Sequence, residues 1–180
     1  MPSFASTPGN VLYLIACGAP PAGHLPELIK ALQDDGWDVC LIATPSALHW
    51  FDQAELAALT GHPVRSDFRR PDEPEFQPLG NAVLVCPLTF NTLNKWALGI
   101  NDTLALGLLN EAVGRRVPTY AVPWVNDALA AHPAYDRHRF ELDRGGVTLI
   151  PPPASLMDLP EQVCRELPQP TAPDSRTPPA

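Results

Sequence analysis

Five short apolar runs, separated by stretches with helical spacing, constrain the fold of this chain more than any other feature. The runs are NVLYLIACG (10–18), WDVCLIATPS (37–46), NAVLVCPLT (81–89), VPTYAVPWVN (117–126) and GVTLIPPP (146–153). Their apolar residues are continuous rather than alternating, the pattern of a strand buried on both faces. Between them lie GHLPELIKALQDDG (23–36), with Leu25, Leu28, Ile29 and Leu32 at helical spacing and Gly36 at the stop, and ALHWFDQAELAALTG (47–61). TLNKWALGINDTLALGLLNEAVGR (92–115) reads as one long helix, HPAYDRHRFELDRGG (132–146) as another and DLPEQVCREL (158–167) as a last one. Strands alternating with helices require right-handed crossovers, hence a parallel sheet covered on both faces. The expected fold is a doubly wound, Rossmann-like α/β sheet in a three-layer α/β/α sandwich. The segment 62–80 is the least regular and is expected to be a long loop or an extra short strand.

A chain of 180 residues suits one domain, and 45% apolar content supplies a substantial core. Nine prolines between Pro151 and Pro179 leave the last stretch little to bury. Residues 168–180 are therefore expected to be a disordered tail and 1–9 a disordered start, flanking one domain over 10–167. A net charge of −8 argues against nucleic-acid and anionic-membrane partners, and no apolar run is long enough to span a bilayer. MPSFASTPGN lacks the features of a secretory signal. Cys17, Cys40, Cys86 and Cys164 share no C-x-x-C spacing, and three sit in apolar runs. A cytoplasmic setting is the resulting expectation. The five histidines show no metal-ligand spacing, so no metal is expected, and the absence of G-x-S-x-G removes the common Ser-His-Asp hydrolase pattern.

In such a sheet, ligands bind at the carboxyl ends of the strands. Gly18-Ala19-Pro20-Pro21-Ala22-Gly23 closes the first strand and is either a plain turn or an anion site at a helix start. Neither G-x-G-x-x-G nor Walker A is present. Thr44 and Ser46 follow the second strand as helix caps or as hydroxyls for an anion. After the third strand, Thr89, Asn91, Thr92 and Asn94 exceed what capping needs, which favours a ligand. Lys95 is either a solvated helix residue or a charge near that ligand. Asn126 closes the fourth strand as a turn residue or as an amide for a ligand.

Three stretches, in order, resemble the flavin-containing cysteine decarboxylase family. They are DVCLIATPSALHWFDQAELAALTGHPVRSD, AVLVCPLTFNTLNKWALGINDTLA and PWVNDALAAHPAYDRH. The second matches the family's P-A-T/S-A-N-T-x-x-K motif in spacing, from Pro87 through Asn91, Thr92, Lys95 and Gly99 to Asp102. The resemblance implies bound FMN, with its phosphate at Gly18, Ala19, Thr44 and Ser46. It implies a flavin ring against Pro87, Leu88, Thr89, Asn91 and Thr92, at a subunit boundary of a homotrimer or an assembly of trimers. It implies oxidative decarboxylation of a cysteine-type carboxylate, on a peptide end or a small thiol, with Asn126 holding the carboxylate. Two departures stand out. The family histidine falls fourteen residues before Pro87, where this chain has Glu73, and Ala130 replaces the tryptophan of the family's N-x-x-M-W motif. A non-decarboxylating FMN protein of the same fold, with a redox, prenyl-flavin or regulatory role, is the alternative.

Overall fold

The computed structural model describes residues 10–69 and 80–170. Strand β1 (Val11–Ala16) is interior and pairs in parallel with β2 (Asp38–Ala43) on one side and β3 (Ala82–Leu88) on the other. Beyond β3 lie β4 (Thr119–Pro123) and the short β5 (Val147–Leu149), giving the order β2-β1-β3-β4-β5. Successive residues of the inner strands feed two cores. Leu12, Leu14, Ala16, Leu84 and Cys86 pack on one face with α1 (Leu25–Asp34), α2 (Gln53–Thr60) and α7 (Leu159–Glu166). Tyr13, Ile15, Cys17, Val83 and Val85 pack on the other with α3 (Phe90–Ala97), α4 (Leu104–Gly114) and α6 (Pro133–Arg144). Burial on both faces explains why these strands lack apolar–polar alternation. The expected doubly wound sandwich is the architecture found.

The expected single helix over 92–115 is two helices, α3 and α4. Gly99 takes a left-handed backbone at φ 69°, and the Thr103 hydroxyl accepts the Leu106 N–H at 3.2 Å to start α4 afresh. Apolar spacing runs across the break, which hides it from periodicity. Within 47–61 only the second part is α-helix; Ala47–His49 forms a 3-10 turn. The irregular segment contributes one isolated bridge, between Arg65 and Ile42. The tail and start expectations for 171–180 and 1–9 lie outside the described residues.

The order 2-1-3-4-5 reverses direction between β1 and β3, and ligands in open α/β sheets bind outside the carboxyl ends at that switch point. There the backbone is tightly tied. The Cys17 N–H donates to the Pro87 carbonyl at 3.2 Å, and the Trp124 N–H donates to the Leu88 carbonyl at 2.8 Å. The strand ends that would carry a ligand are thus fixed to one another through the main chain.

Candidate functional site

A cleft of about 520 Å³ opens at this switch point. It is lined by Gly18, Ala19 and Pro20 after β1, by Thr89, Phe90 and Asn91 after β3, and by Trp124 to Asn126 with Leu129 after β4. Trp50, following the turn after β2, lines it as well. Its size is within the usual range for a small-molecule site.

Gly18 decides how the first two loops meet. A Cβ there would lie 2.8 Å from the Ser46 carbonyl oxygen and 3.1 Å from its Oγ, so only glycine permits the contact. That packing brings the Thr44–Ser46 turn beside the cleft. The Thr44 N–H donates to the Ala16 carbonyl at 2.9 Å, and the Thr44 and Ser46 hydroxyls lie 3.3 Å apart. Thr44 is nearly buried.

The helical starts in this region differ from most of those elsewhere. Ala19, Ser46 and Thr89 open helical turns after β1, β2 and β3, and none supplies a side-chain cap. By contrast Asp52, Thr103, Asn126, His132 and Ser155 each cap their helices with a side-chain acceptor. Helices α1 and α7 also lack such a cap, but each continues directly from a 3-10 turn. A helix start leaves backbone N–H groups without intrahelical partners, and with the helix dipole these favour an anion. Three uncapped starts, each following a strand of the switch-point region, leave donors that no side chain fills.

At the base of α3 the polar groups are organised rather than spare. The Thr89 hydroxyl donates to Thr92 Oγ1 at 3.3 Å instead of capping, and the Cys17 thiol donates to the same oxygen at 3.3 Å. Burial pushes the Cys17 thiol pKa up, while hydrogen bonds with Thr92 and Thr89 pull it part of the way back. Thr92 is buried and Leu88 fully so, and Pro87 is buried as well. These three do not line the cleft, whereas Thr89 and Asn91 do. Lys95 is paired with Asp102 at 2.6 Å, which answers the question left open by its spacing.

Asn126 combines two tasks. Its Oδ1 accepts the Leu129 N–H at 2.9 Å and caps the one-turn α5 (Asp127–Ala130), which leaves the Nδ2 hydrogens as the donors of a residue that lines the cleft. A donor amide of fixed orientation suits a carboxylate. His132 caps α6 through Nδ1, accepting the Ala134 N–H at 3.1 Å, and stands edge-on to the Phe90 ring with centroids 5.7 Å apart. Glu73 lies outside the described residues. Trp50, Phe90, Trp124 and Leu129 escaped the sequence reading as site residues. Phe90 and Trp124 sit inside segments chosen for their polar neighbours, and Trp50 carries no signal in its own segment. Among the described residues no group of three His, Cys, Asp or Glu side chains is arranged to hold a metal.

The Flavoprotein family model matches residues 5–168. The chain belongs to the Flavoprotein family. The phosphopantothenoylcysteine decarboxylase of Arabidopsis thaliana is 30% identical over 123 residues, a match spanning 64% of this chain and 58% of that relative. The solved structure of the FMN binding protein AtHal3 superposes with a TM-score of 0.69 at 26% identity, covering 81% of this chain and 82% of that one. A PPC decarboxylase mutant complexed with pantothenoylaminoethenethiol shares the fold at TM-score 0.72 and 23% identity, over 86% of this chain and 96% of that one. The family resemblance carried by the three sequence stretches is borne out.

Proposed function

We propose that this protein binds FMN in the switch-point cleft and uses it for oxidative decarboxylation of a cysteine-type carboxylate. The observation that carries this is the set of three uncapped helical starts at Ala19, Ser46 and Thr89, beside a cleft with aromatic walls. The fit to FMN follows from chemistry. A phosphate needs convergent N–H and O–H donors, which the Gly18–Ala19 turn and the Thr44–Ser46 hydroxyls offer. A flat heteroaromatic ring needs apolar walls with polar groups at its edge, which Phe90 and Trp124 supply together with Thr89 and Asn91. The identity to the FMN binding protein AtHal3 and to a curated phosphopantothenoylcysteine decarboxylase supports the same reading.

When bound, FMN supplies the two-electron oxidation that precedes loss of carbon dioxide. The chain's own contribution is positional. Asn126 Nδ2 donates to the substrate carboxylate, its Oδ1 remains on the Leu129 N–H, and the aromatic walls exclude water from the reacting centre. Deprotonation of the substrate thiol is the step for which Glu73 stands at the family histidine's position. A homotrimer, or an assembly of trimers, is the proposed state. It is supported by Phe68, Leu98 and Ile100, large apolar side chains left 54%, 63% and 39% exposed. A cytoplasmic setting is in keeping with four free cysteines.

FMN titration of the cofactor-free protein tests the binding step. Saturable quenching of flavin fluorescence with one FMN per chain is expected, and Gly18→Ala should abolish it by driving the first loop off Ser46. A protein that leaves flavin fluorescence unchanged at every concentration sinks the proposal.

A further inference from the structure

A second cavity, of about 380 Å³, is lined by residues that precede β4 and β5, whereas the cleft is lined by residues that follow strands. In a parallel sheet these are opposite ends. Val113, Val117 and Pro118 give the second cavity apolar lining, and Arg116 and Arg144 give it charge. Among the described residues no carboxylate lines it, and neither arginine has one within ion-pair distance. Other cavities balance their cations. Arg115 lines one together with Glu111, its partner at 2.6 Å, and Arg139 lines another with Asp136 and Asp143. Two uncompensated guanidiniums at one cavity run against a chain whose net charge is −8. The backbone adds a second observation. Arg116 takes φ 57°, and among the described residues it is the single non-glycine residue with a positive φ. It follows α4, where glycine would avoid the strain. The pull of a helix C-terminus on cations accounts for positive charge near the ends of α4 and α6. It does not account for a strained backbone, since Arg115 already supplies that charge to α4 in a relaxed conformation. Strain retained at one residue points to a task for its side chain.

We propose that this second cavity binds a small phosphomonoester, with its dianion shared between Arg116 and Arg144 and its organic body against Val113, Val117 and Pro118. A guanidinium presents a planar fork that matches phosphate oxygens in pairs, and two of them balance a charge of about −2. Arg144 is steadied by the Phe140 ring, whose centroid lies 5.8 Å from its guanidinium carbon. The Thr119 hydroxyl, also at this cavity, is committed to the Val117 carbonyl at 2.8 Å, so the arginines are the side-chain donors for the anion. The volume is within the range of small-molecule sites. This site is separate from the proposed flavin phosphate, which lies at the other end of the sheet.

Phenyl phosphate is the probe, titrated by calorimetry into the full chain with FMN in excess, so that a flavin-phosphate site is already filled. One saturable site per chain is expected, with phenol silent and inorganic phosphate about tenfold weaker for want of the ring. Arg116→Gly and Arg144→Gln should each weaken phenyl phosphate about tenfold or more and leave the FMN titration unchanged. Arg116→Gly should at the same time raise the urea midpoint, so its loss of binding cannot be a loss of fold. No saturable binding of phenyl phosphate overturns the inference. So does an affinity within about twofold of the native protein in either arginine variant, or competition between phenyl phosphate and FMN. If the chain holds no FMN, the same titration and the same two variants still test this site, so the two readings fail separately.

Discussion

Asn126→Asp separates the two tasks of one side chain, and its outcome can be worked out in advance. In the native protein Oδ1 of this cleft-lining residue accepts the Leu129 N–H at 2.9 Å, and Nδ2 is the donor left for a ligand. Aspartate ranks with asparagine as an N-cap, so the cap survives and stability should change by less than about 0.5 kcal/mol. The donor does not survive. A hydrogen bond to a carboxylate contributes about 1.5–3 kcal/mol. Two carboxylates about 4 Å apart add a repulsion between roughly 1 kcal/mol in bulk water and 4 kcal/mol near a protein surface. Even the lower bounds, together about 2.5 kcal/mol, correspond to nearly two orders of magnitude in affinity. Calorimetry with a cysteine-ended dipeptide and FMN-loaded protein reads this directly, alongside thermal unfolding. Asn126→Ala, losing cap and donor together, should lower the unfolding midpoint by about 2–4 °C. If the Asn126→Asp variant binds the dipeptide within about threefold of the native protein, the carboxylate role is refuted.

Other perturbations have equally definite outcomes. Arg116 holds a left-handed backbone at φ 57°, just after α4, so Arg116→Gly should raise stability by about 1 kcal/mol in a urea titration without touching FMN binding. Cys17→Ala removes one of the two donors to Thr92 Oγ1 and should weaken FMN binding about fivefold, with Cys17→Ser restoring it, both read by fluorescence titration. Burial lowers the pKa of His138, chiefly by desolvation, with Arg137 adding to it. Its neutral form, with Nδ1 2.7 Å from Asn94 Oδ1, is therefore the one the fold favours. The unfolded chain binds the extra proton first, so this contribution is complete above the unfolded pKa near 6.5 and is lost as pH falls below it. Urea midpoints measured from about pH 7.5 down to about 5.5 should decline more steeply for the native protein than for His138→Gln.

The strands were legible because their cores are double-sided. Leu12 and Tyr13 are both buried, on opposite faces, so neighbouring positions had to be apolar together. The α3–α4 break was not legible from spacing, since Leu93, Trp96 and Leu104 keep a continuous apolar stripe while Gly99 and Thr103 do the local work of stopping and restarting. At the site, the polar residues after β3 were visible as an excess over capping. Their division of labour was not. Whether Thr92 faces a ligand or a thiol depends on Cys17, seventy-five residues away and brought near only by β1–β3 pairing. The meeting of Gly18 with Ser46 likewise rests on the packing of two loops, and Trp50 lines the same cleft. Local sequence carries no record of such contacts.

The central claim is tested most directly by mass. The FMN-loaded protein is incubated with phenylalanyl-cysteine under air, and the product is followed by mass spectrometry. The account predicts loss of one carbon dioxide and two hydrogens, dependent on FMN and abolished by Asn126→Asp. An unchanged dipeptide across varied acyl groups, from a protein that binds both FMN and the dipeptide, would contradict it and leave the non-decarboxylating FMN protein as the reading that stands.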